Sequence, residues 1–449
     1  ENDAFKLLLI NLFHLNPNDI TNIVCTTFNK MMVLLVTLAD KHQACPYCGF
    51  TAPKIKEYVT KEITHSALTT QKCIIKYRAR RYKCPCCGKT YYEFNPFVFK
   101  SQKISILTVH NILKDLKDFN ETFTSVARRY HVSPTSVSTI FDNHVDIGRN
   151  PLPEIINFDE VYAFKSEKSK YVCVLLDFKK QIPVDVLPNR KKEYLLNYFQ
   201  KIPLEERKKV KYACSDMYEV YRDVVHKVFP EAKHLLDYFH LSQDFHKKMN
   251  EVRIKVMKGY KDNKASDEYY LLKKFNWLLF KNPEDEDKYG RLFDVERERK
   301  YNSHFKSYMN YYDLRKKILE INNDLTICYS LKLELVDFYS KSTIDNAQVN
   351  LEHLIRSFID TNIEEMIKFS NNLINWKQEI INSFTIVGTE YKVEADKGQV
   401  VVCNKKVNNA IIENRNKIIK CIKNNANGYT NWLRFRNRVM YVLDPNATF

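Results

Sequence analysis

The chain has 449 residues, which is too long for one ordinary hydrophobic core and predicts two to four domains. Its hydrophobic content of 44% excludes an intrinsically disordered protein, and its 8 glycines leave no Gly-rich phosphate loop, so no nucleotide cofactor is expected. The net charge of +17 favours a polyanionic partner such as nucleic acid, although a lysine-rich compositional bias accounts for part of it.

No apolar stretch is long enough to cross a membrane. The longest one runs from Met31 to Ala39, well short of the ~20 residues that a membrane helix needs. The apolar stretch from Phe5 to Leu15 follows an acidic start, whereas a signal peptide begins with basic residues. We therefore expect a cytoplasmic protein without a membrane partner.

The first predicted elements are two strands, Ile20–Phe28 and Met31–Leu38, separated by Asn29 and Lys30. A cysteine-rich region follows at residues 41–100. In this region two turns, Cys45-Pro-Tyr-Cys48-Gly and Cys84-Pro-Cys86-Cys87-Gly, each present a pair of thiolates. Two such pairs complete a tetrahedral zinc site.

The predicted zinc ligands are Cys45, Cys48, Cys84 and Cys87, with Cys73 and Cys86 as competing thiols. The spacing between the two turns exceeds the ~15–20 residues of the common template, and an intervening hairpin would account for the excess. Because four thiolates leave no open coordination position, we expect the zinc to be structural. Arg78, Arg80 and Arg81 fall on the second strand of that hairpin, where they could reach DNA phosphates.

Residues 104–145 have helical periodicity, and Phe123–Ile140 reads as a helix, a tight turn and a second helix. Ser133 is a plausible N-cap and Pro134 suits the first turn of the second helix. That helix would present four polar residues to a major groove: Thr135, Ser136, Ser138 and Thr139. A plain helical hairpin is the alternative, since His131 stands where a turn glycine is common.

The clearest domain boundary lies at Arg149-Asn150-Pro151-Leu152-Pro153. After it, three strands, a helix, a strand, a helix and a strand follow in the order of a ribonuclease-H-like fold. The predicted segments are Ile155–Asp159, Tyr171–Phe178, Ile182–Leu187, Glu193–Ile202, Val210–Cys214, Tyr218–Val228 and Lys233–Leu236.

Two aspartates stand at the ends of strands in this pattern. Asp159 ends the first strand and Asp216 follows the fourth, and these strands are neighbours at the centre of such a sheet. Adjacent carboxylates repel each other, and divalent cations such as Mg²⁺ (or Mn²⁺) relieve that repulsion and can drive an in-line displacement at phosphate. Ordinary strand-end acids are the alternative.

The third acid is expected from a helix packed against this sheet, and Glu413 is the candidate. It shares a helix face with Lys417 and Lys420, opposite an isoleucine stripe, so this face could point toward DNA. On spacing alone, the interpretation of Glu413 as an ordinary surface glutamate is slightly favoured over a catalytic role.

Other polar residues lie near these candidates. Asp237 and His240 close the fifth strand and are candidates for the catalytic site. Glu160 should point to the opposite sheet face, and Asp177 and Asp185 are expected to be solvated.

Residues 241–385 show almost only helical periodicity, with Trp277 and Trp376 as expected core residues, and a final helix begins near Val407. The predicted class is α/β multidomain, with a ribonuclease-H-like core interrupted by an all-α insertion and preceded by a zinc-ribbon-like module and a helix-turn-helix. The predicted boundaries are 1–100 for the hairpin and zinc-binding domain, 101–150 for the helix-turn-helix, 151–245 for the first part of the core, 246–400 for the insertion and 401–449 for the last part of the core.

Together these motifs resemble the ISL3 family of bacterial insertion-sequence transposases, which have a DDE catalytic core. The matching segments are Cys45-Pro-Tyr-Cys48-Gly, Phe158-Asp159-Glu160, Asp185-Val-Leu-Pro-Asn-Arg190, Ser215-Asp216-Met-Tyr, Phe229-Pro-Glu-Ala, Asp237-Tyr-Phe-His240, Asn409-Ala-Ile-Ile-Glu413 and the closing run from Gly428 to Arg438. One departure is that Ala410 and Asn414 stand where the family usually has glycine near the glutamate.

The resemblance implies that Asp159, Asp216 and Glu413 are the catalytic acids, with Asp237 and His240 positioning the scissile strand. It also implies cutting of double-stranded DNA at terminal inverted repeats and attack of the freed 3′-hydroxyl on target DNA, by a homodimer or larger assembly associated with the nucleoid. Arg434 and Arg436, in the closing run, are expected to contact DNA. A domesticated, non-cutting DNA-binding protein and a metal-dependent nuclease of the same fold are the alternatives.

Overall fold

The computed structural model of the protein describes residues 2–41, 43–68, 70–100, 102–164, 169–393 and 400–449. The fold is mixed α/β, as predicted. Contacts divide it into two units: residues 1–149, 161–170 and 415–449 form the first, and residues 150–160 and 171–414 form the second. In the described part of the chain, no helix is long and apolar enough to span a bilayer.

The strands are β1 (Ile20–Phe28), β2 (Met31–Leu38), β3 (Lys54–Thr64), β4 (Cys73–Lys83), β5 (Thr90–Tyr92), β6 (Ile155–Val161), β7 (Val172–Asp177), β8 (Pro183–Leu187), β9 (Tyr212–Ser215), β10 (Lys233–Leu236), β11 (Glu286–Asp287), β12 (Gly290–Arg291), β13 (Lys300–Asn302), β14 (Ser307–Met309), β15 (Ile386–Val393) and β16 (Val400–Lys406).

The helices are α1 (Asn2–Leu12), α2 (Ile106–Asp115), α3 (Phe123–Arg129), α4 (Pro134–His144), α5 (Lys192–Gln200), α6 (Leu204–Arg207), α7 (Glu219–Val228), α8 (Tyr238–Lys258), α9 (Asp267–Lys274), α10 (Tyr311–Glu320), α11 (Asn323–Lys341), α12 (Ala347–Ile359), α13 (Glu364–Asn375), α14 (Lys377–Asn382), α15 (Ala410–Asn425) and α16 (Trp432–Leu443).

The first unit contains a five-stranded sheet in the order β1-β2-β4-β3, with β5 paired to β4. The predicted strands β1 and β2 form an antiparallel hairpin. Asn29 and Lys30 turn the chain with positive φ angles of 49° and 60°, the conformation of the tight turns that suit a twisted hairpin. The predicted hairpin between the two cysteine turns is also present, as β3 pairs antiparallel with β4.

The helical stretch predicted at residues 104–145 consists of three helices, α2, α3 and α4. The side chain of Ser133 accepts a hydrogen bond from the backbone N–H of Ser136, which caps α4, and Pro134 occupies its first turn. His131 in the turn has a φ of 54°, a conformation that glycine adopts more easily. Ala127 and Val137 are buried between the helices.

Helix α16 belongs to this first unit. The hydroxyl of Tyr441 donates to the carbonyl of Leu113 in α2 (3.0 Å), and the buried Arg438 donates to the carbonyls of Asp118 and Glu121 (2.8 Å each). Residues 415–449 therefore group with residues 1–149, whereas the sequence-based boundaries assigned residues 401–449 to the catalytic core.

The second unit contains a five-stranded sheet in the order β10-β9-β6-β7-β8. Strands β10, β9 and β6 are parallel, and β7 pairs antiparallel with β8. The strand and helix order matches the prediction, and the short helix α6 is an additional element. Side chains alternate along a strand, so the sheet has two faces with different neighbours. One face packs with α5 and α7 and includes Ile156, Phe158 and Ala213. The other face packs against Val407 and Ile411 and includes Ile155, Cys214 and Leu235.

Helices α8 to α14 share one large hydrophobic core that contains Trp376, and Trp277 packs against it. The strands β11 to β14 form two short hairpins in this segment, and β15 and β16 form a third. The sequence pattern missed all three hairpins. Strands β11 to β14 have two or three residues each, which is too few to produce a period-two pattern. The longer strands β15 and β16 lie between the predicted helical stretch and the final helix, which begins at Ala410.

Candidate active site

Three aspartates align across the neighbouring parallel strands β6, β9 and β10. Asn157 pairs with Cys214 in the β6–β9 register, so two residues further along each strand Asp159 is opposite Asp216. Leu236 pairs with Ser215 in the β10–β9 register, so the next residues, Asp237 and Asp216, are also opposite each other. The carboxyl ends of these strands therefore bring the three acids to one edge of the sheet.

The environment of Asp159 and Asp216 disfavours their charged forms. Burial, followed by the charge of Asp216, raises the pKa of Asp159 to about 7. Burial also raises the pKa of Asp216, against the opposing charges of His240 and Arg190. Oδ1 of Asp216 is buried without a hydrogen-bond partner among the described residues. Such an oxygen carries a desolvation penalty that a bound cation would remove.

The start of α15 is fixed to the sheet by Asn409. Its backbone N–H donates to Oδ1 of Asp237 (3.1 Å), and its buried side chain accepts from Nδ2 of Asn157 (2.7 Å) and donates to the carbonyl of Phe158 (3.4 Å). The carbonyl of Asn409 then accepts from the backbone N–H of Glu413 in the first turn of α15 (3.0 Å). One asparagine thus links β6, β10 and the helix that carries Glu413.

Glu413 lies with Asp237 and His240, whose potential ligand atoms are all within 4.8 Å of one another. Oδ2 of Asp237 is 3.0 Å from Nδ1 of His240. Burial lowers the pKa of His240, but the hydrogen bond with Asp237 and the surrounding acids outweigh it, so the net shift is upward. The charges of Glu413 and Asp237 also act on Asp159. The five predicted catalytic residues therefore form one electrostatic cluster.

Glu160 faces away from this cluster, as its alternation with Asp159 predicted. It forms an ion pair with Arg190 and accepts a hydrogen bond from the hydroxyl of Tyr221 (3.1 Å), a residue in the core on the opposite face. The guanidinium of Arg190 also lies 4.6 Å from the ring of Tyr171 and 4.7 Å from that of Tyr218.

The prediction that Asp177 and Asp185 are solvated is wrong. Asp177 is 7% exposed, and its Oδ1 accepts from the backbone N–H groups of Lys179 (2.8 Å) and Lys180 (3.0 Å) in the β7–β8 turn. Asp185 is 4% exposed, and its Oδ2 accepts from the hydroxyl of Tyr198 (2.7 Å). These hydrogen bonds offset the cost of burying the two carboxylates. The alternation of side chains along a strand does not reveal such partners, so the sequence did not predict the burial.

The four cysteines predicted to bind zinc are together. Their sulfur atoms lie within 4.8 Å of one another, with 3.7 Å between Cys45 and Cys87 and 3.5 Å between Cys48 and Cys84. A hydrogen bond from the backbone of Cys87 helps lower the pKa of Cys84 to about 7, which favours the thiolate that a metal requires. Cys73 is buried in the sheet, Cys86 is exposed, and neither belongs to this set.

The three arginines of β4 have different surroundings. Arg78 is exposed and stacks over Tyr58, with 4.9 Å between guanidinium carbon and ring centre. Arg80 is half-buried, pairs with Glu93 (2.7 Å) and donates to the carbonyl of Leu38 (3.2 Å). Arg81 pairs with the exposed Glu57 (2.7 Å).

The remaining predicted DNA-binding residues are also placed on helices. On α4, Thr135 and Thr139 are exposed, while Ser136 and Ser138 are half-buried. Lys417 and Lys420 are exposed on α15.

The two arginines of α16 are already engaged. Arg434 forms a two-pronged ion pair with Asp142 of α4, at 2.6 Å for the closest contact, and Arg436 donates to the carbonyl of Ile147 (2.6 Å). Contacts within the first unit therefore already occupy both side chains that were expected to contact DNA.

The structure adds Asn409, Asn157 and Arg190 to the residues that organise this site. Asn409 and Arg190 lie inside two of the segments that resemble the family. Their positions in those segments were the signal in the sequence that could have identified them as site residues. Their contacts depend on residues far away in sequence, which spacing cannot reveal.

Residues 156–395, more than half of the chain, match the ISL3 family model of DDE proteins, which is described as a transposase. The match covers the three aspartates and His240 and ends before Glu413. The chain is also similar to the transposase for insertion sequence element IS1001 of Bordetella parapertussis, at 19% identity over 409 residues, 91% of this chain and 90% of that protein.

Proposed function

The chain belongs to the ISL3 family of transposases, and we propose that it cleaves phosphodiester bonds at the ends of an insertion sequence and joins the freed 3′-hydroxyl to target DNA. The observation that carries this proposal is the alignment of Asp159 and Asp216 on adjacent parallel strands, with Glu413 among their charged neighbours. The charges of Asp216 and Glu413 both act on Asp159, and three neighbouring acids are the ligand set expected for phosphoryl transfer by divalent cations.

The acids fit such cations on their own chemistry. Asp216 keeps a buried oxygen without a hydrogen-bond partner among the described residues, and Asp159 holds a proton up to a pH of about 7 in the absence of a cation. Asp159, Asp216 and Glu413 would hold Mg²⁺ (or Mn²⁺). When bound, two such ions supply activation of the attacking oxygen and stabilisation of the leaving oxygen.

The protein itself orients the reacting strand. Asp237 holds Nδ1 of His240 and so leaves Nε2 to contact a DNA phosphate, and the raised pKa of His240 favours the charged form for that contact. Asn409 acts as a positioning residue, because it fixes the first turn of α15 and hence Glu413.

The surrounding architecture supports the same activity. The strand order β10-β9-β6-β7-β8 is the one expected of a ribonuclease-H-like core, and the helical segment from α8 to α14 lies in the chain between Asp216 and Glu413, as an insertion domain would. The cysteine cluster would hold a structural zinc ion, and α3 and α4 would act as a helix-turn-helix that recognises the inverted repeats. Domains 1–100 and 101–150 would thus bind the transposon ends.

The test is a Mg²⁺-dependent cleavage and joining assay on the terminal inverted repeats of the element. Asp159→Asn, Asp216→Asn and Glu413→Gln are each expected to abolish cleavage and joining while the affinity for the ends is retained. The matched control is Glu334→Gln on the exposed face of α11, which should behave as the unsubstituted protein.

Two results would contradict the proposal. Joining at the unsubstituted level by any one of the three variants would remove that residue from the site. Cleavage without joining by the unsubstituted protein would instead identify a nuclease of the same fold.

A further inference from the structure

A second group of potential metal ligands lies on other elements of the second unit. It consists of His226 on α7, His234 on β10 and Glu379 on α14, whose ligand atoms are all within 4.8 Å of one another. His226 is exposed, whereas His234 and Glu379 are 1% and 5% exposed. None of the three belongs to the catalytic cluster.

The hydrogen bonds of His234 fix its tautomer. The hydroxyl of Ser215 donates to the carbonyl of Asp216 (2.8 Å), so its oxygen must accept the hydrogen bond from Nε2 of His234 (2.9 Å). A neutral ring with its proton on Nε2 presents a lone pair at Nδ1. Nδ1 is buried without a hydrogen-bond partner among the described residues, and Oε1 of Glu379 lies 3.9 Å away.

Two buried acceptors therefore face each other with no donor between them. A cation between the lone pair and the carboxylate would satisfy both groups.

Arg222 is the nearby cation, but its other contacts hold it elsewhere. Its guanidinium donates to the carbonyl of Asn375 (2.9 Å), lies 3.6 Å from Glu219 and stacks 4.3 Å from the ring of Trp376. It contributes a long-range charge to the cluster without donating to Nδ1 of His234. His226 completes the group, with its Nε2 at 4.0 Å from Oε1 of Glu379.

We propose that His226, His234 and Glu379 bind a divalent transition-metal ion of the zinc class. Two imidazoles and one carboxylate are a ligand set that zinc accepts, and three protein ligands leave one position open to water. Ligand atoms around a tetrahedral zinc are about 3.4 Å apart. A small rotation of the exposed His226 would close its separation of 4.0 Å from Glu379, and a small shift of the Glu379 carboxylate would close the 3.9 Å that separates it from Nδ1 of His234. The bond from Nε2 of His234 to Ser215 orients the ring as such ligands require.

The ion would connect three elements that are distant in sequence. His226 and His234 flank the turn between α7 and β10, and Glu379 comes from the last helix of the helical segment. Asn382 on the same helix already donates to the carbonyl of His234 (2.9 Å). Metal binding would therefore stabilise the packing of α14 against β10, next to the strand that ends at Asp216.

The experiment measures zinc bound to the full chain by mass spectrometry after equilibration with zinc and removal of the excess, with Mg²⁺ present to occupy the catalytic acids. The variants are His226→Ala and Glu379→Gln, and His353→Ala, an exposed histidine on α12, is the matched control. We expect each of the first two variants to bind about one zinc ion per chain less than the unsubstituted protein and the control. The cysteine cluster contributes equally to all four proteins.

A second readout separates loss of a ligand from loss of the fold. Added zinc should raise the unfolding temperature of the unsubstituted protein and of His353→Ala above that of His226→Ala, whose exposed substitution leaves the core intact. Equal zinc content in all four proteins, or an equal zinc-dependent rise in unfolding temperature, would overturn the proposal.

Discussion

The backbone N–H of Asn409 donates to Oδ1 of Asp237 over 3.1 Å, and this bond joins the start of α15 to the end of β10. The side chain of Asn409 is fully buried and joins the same point to Asn157 and Phe158 on β6. The position of Glu413 relative to the strand-end aspartates therefore depends on one residue outside the acid cluster.

Asn409→Ala is expected to weaken catalysis without removing a catalytic acid. Loss of a residue that orients a metal ligand typically costs about 10- to 100-fold in metal affinity or activity. A titration of cleavage with Mg²⁺ should show a higher Mg²⁺ requirement. Loss of the buried hydrogen bonds from the Asn409 side chain to Asn157 and Phe158 should also lower the free energy of unfolding by about 1–3 kcal/mol. Asn424→Ala, exposed on the same helix, is the control. An unchanged Mg²⁺ requirement in Asn409→Ala would rule out the positioning role.

The pH dependence of stability should report the raised pKa of Asp159. The pKa of the Asp159 carboxyl group is about 7 in the folded state, against an ordinary 3.8. The protonated carboxyl therefore makes the folded protein more stable below pH ~4 than at higher pH. That stability is lost as the pH rises through about 7, because the folded state resists ionisation.

Asp159→Asn removes the ionisation, so in the absence of divalent cations it should raise the free energy of unfolding at pH 8, by up to about 4 kcal/mol. At pH 4 the difference from the unsubstituted protein should largely vanish. Urea unfolding with a chelator at both pH values measures this, with the exposed Asp360→Asn as control. A variant that is equally stable or less stable at pH 8 would show that Asp159 is not buried as described.

The cysteine cluster predicts which thiols are needed for zinc. Cys84→Ser should release about one zinc ion per chain and destabilise the cysteine turns, because a tetrahedral site does not tolerate loss of a thiolate. Cys86→Ser is the matched control, since Cys86 is exposed and outside the set. Metal analysis and thermal unfolding distinguish the two. Zinc loss from Cys86→Ser as well would mean that the exposed thiol is a ligand.

Arg78 and Arg80 are expected to differ when DNA binding is measured. Arg78→Ala should reduce the slope of log affinity against log salt concentration by about 0.9, because one phosphate contact is lost. Arg80→Ala should instead lower the free energy of unfolding, by about 3 kcal/mol, since it leaves the buried carboxylate of Glu93 without its ionic partner. Binding titrations at several salt concentrations and urea unfolding of both variants test this difference. Equal salt slopes for Arg78→Ala and the unsubstituted protein would place Arg78 away from DNA.

Much of the fold was predictable because its signals are local. The strands β1 and β2 have the predicted bounds, and the cap at Ser133 and Pro134 lies where its residues indicated. The order of elements from β6 to β10 followed from periodicity, and with parallel strands it predicted that Asp159 and Asp216 would be neighbours. The short hairpins of the helical segment were missed because they carry too few residues to show a period.

The sequence by itself predicted which residues would carry the chemistry: the strand-end aspartates, the paired cysteine turns and a glutamate early in the last predicted helix. Only the tertiary structure decided how they are held, through Asn409 at the start of α15, the burial of Asp177 and Asp185, and the pairing of Arg434 with Asp142. The physical reason is one of range. Periodicity and turn chemistry act over a few residues, whereas burial, pKa shifts and hydrogen bonds between distant residues arise only when the chain packs.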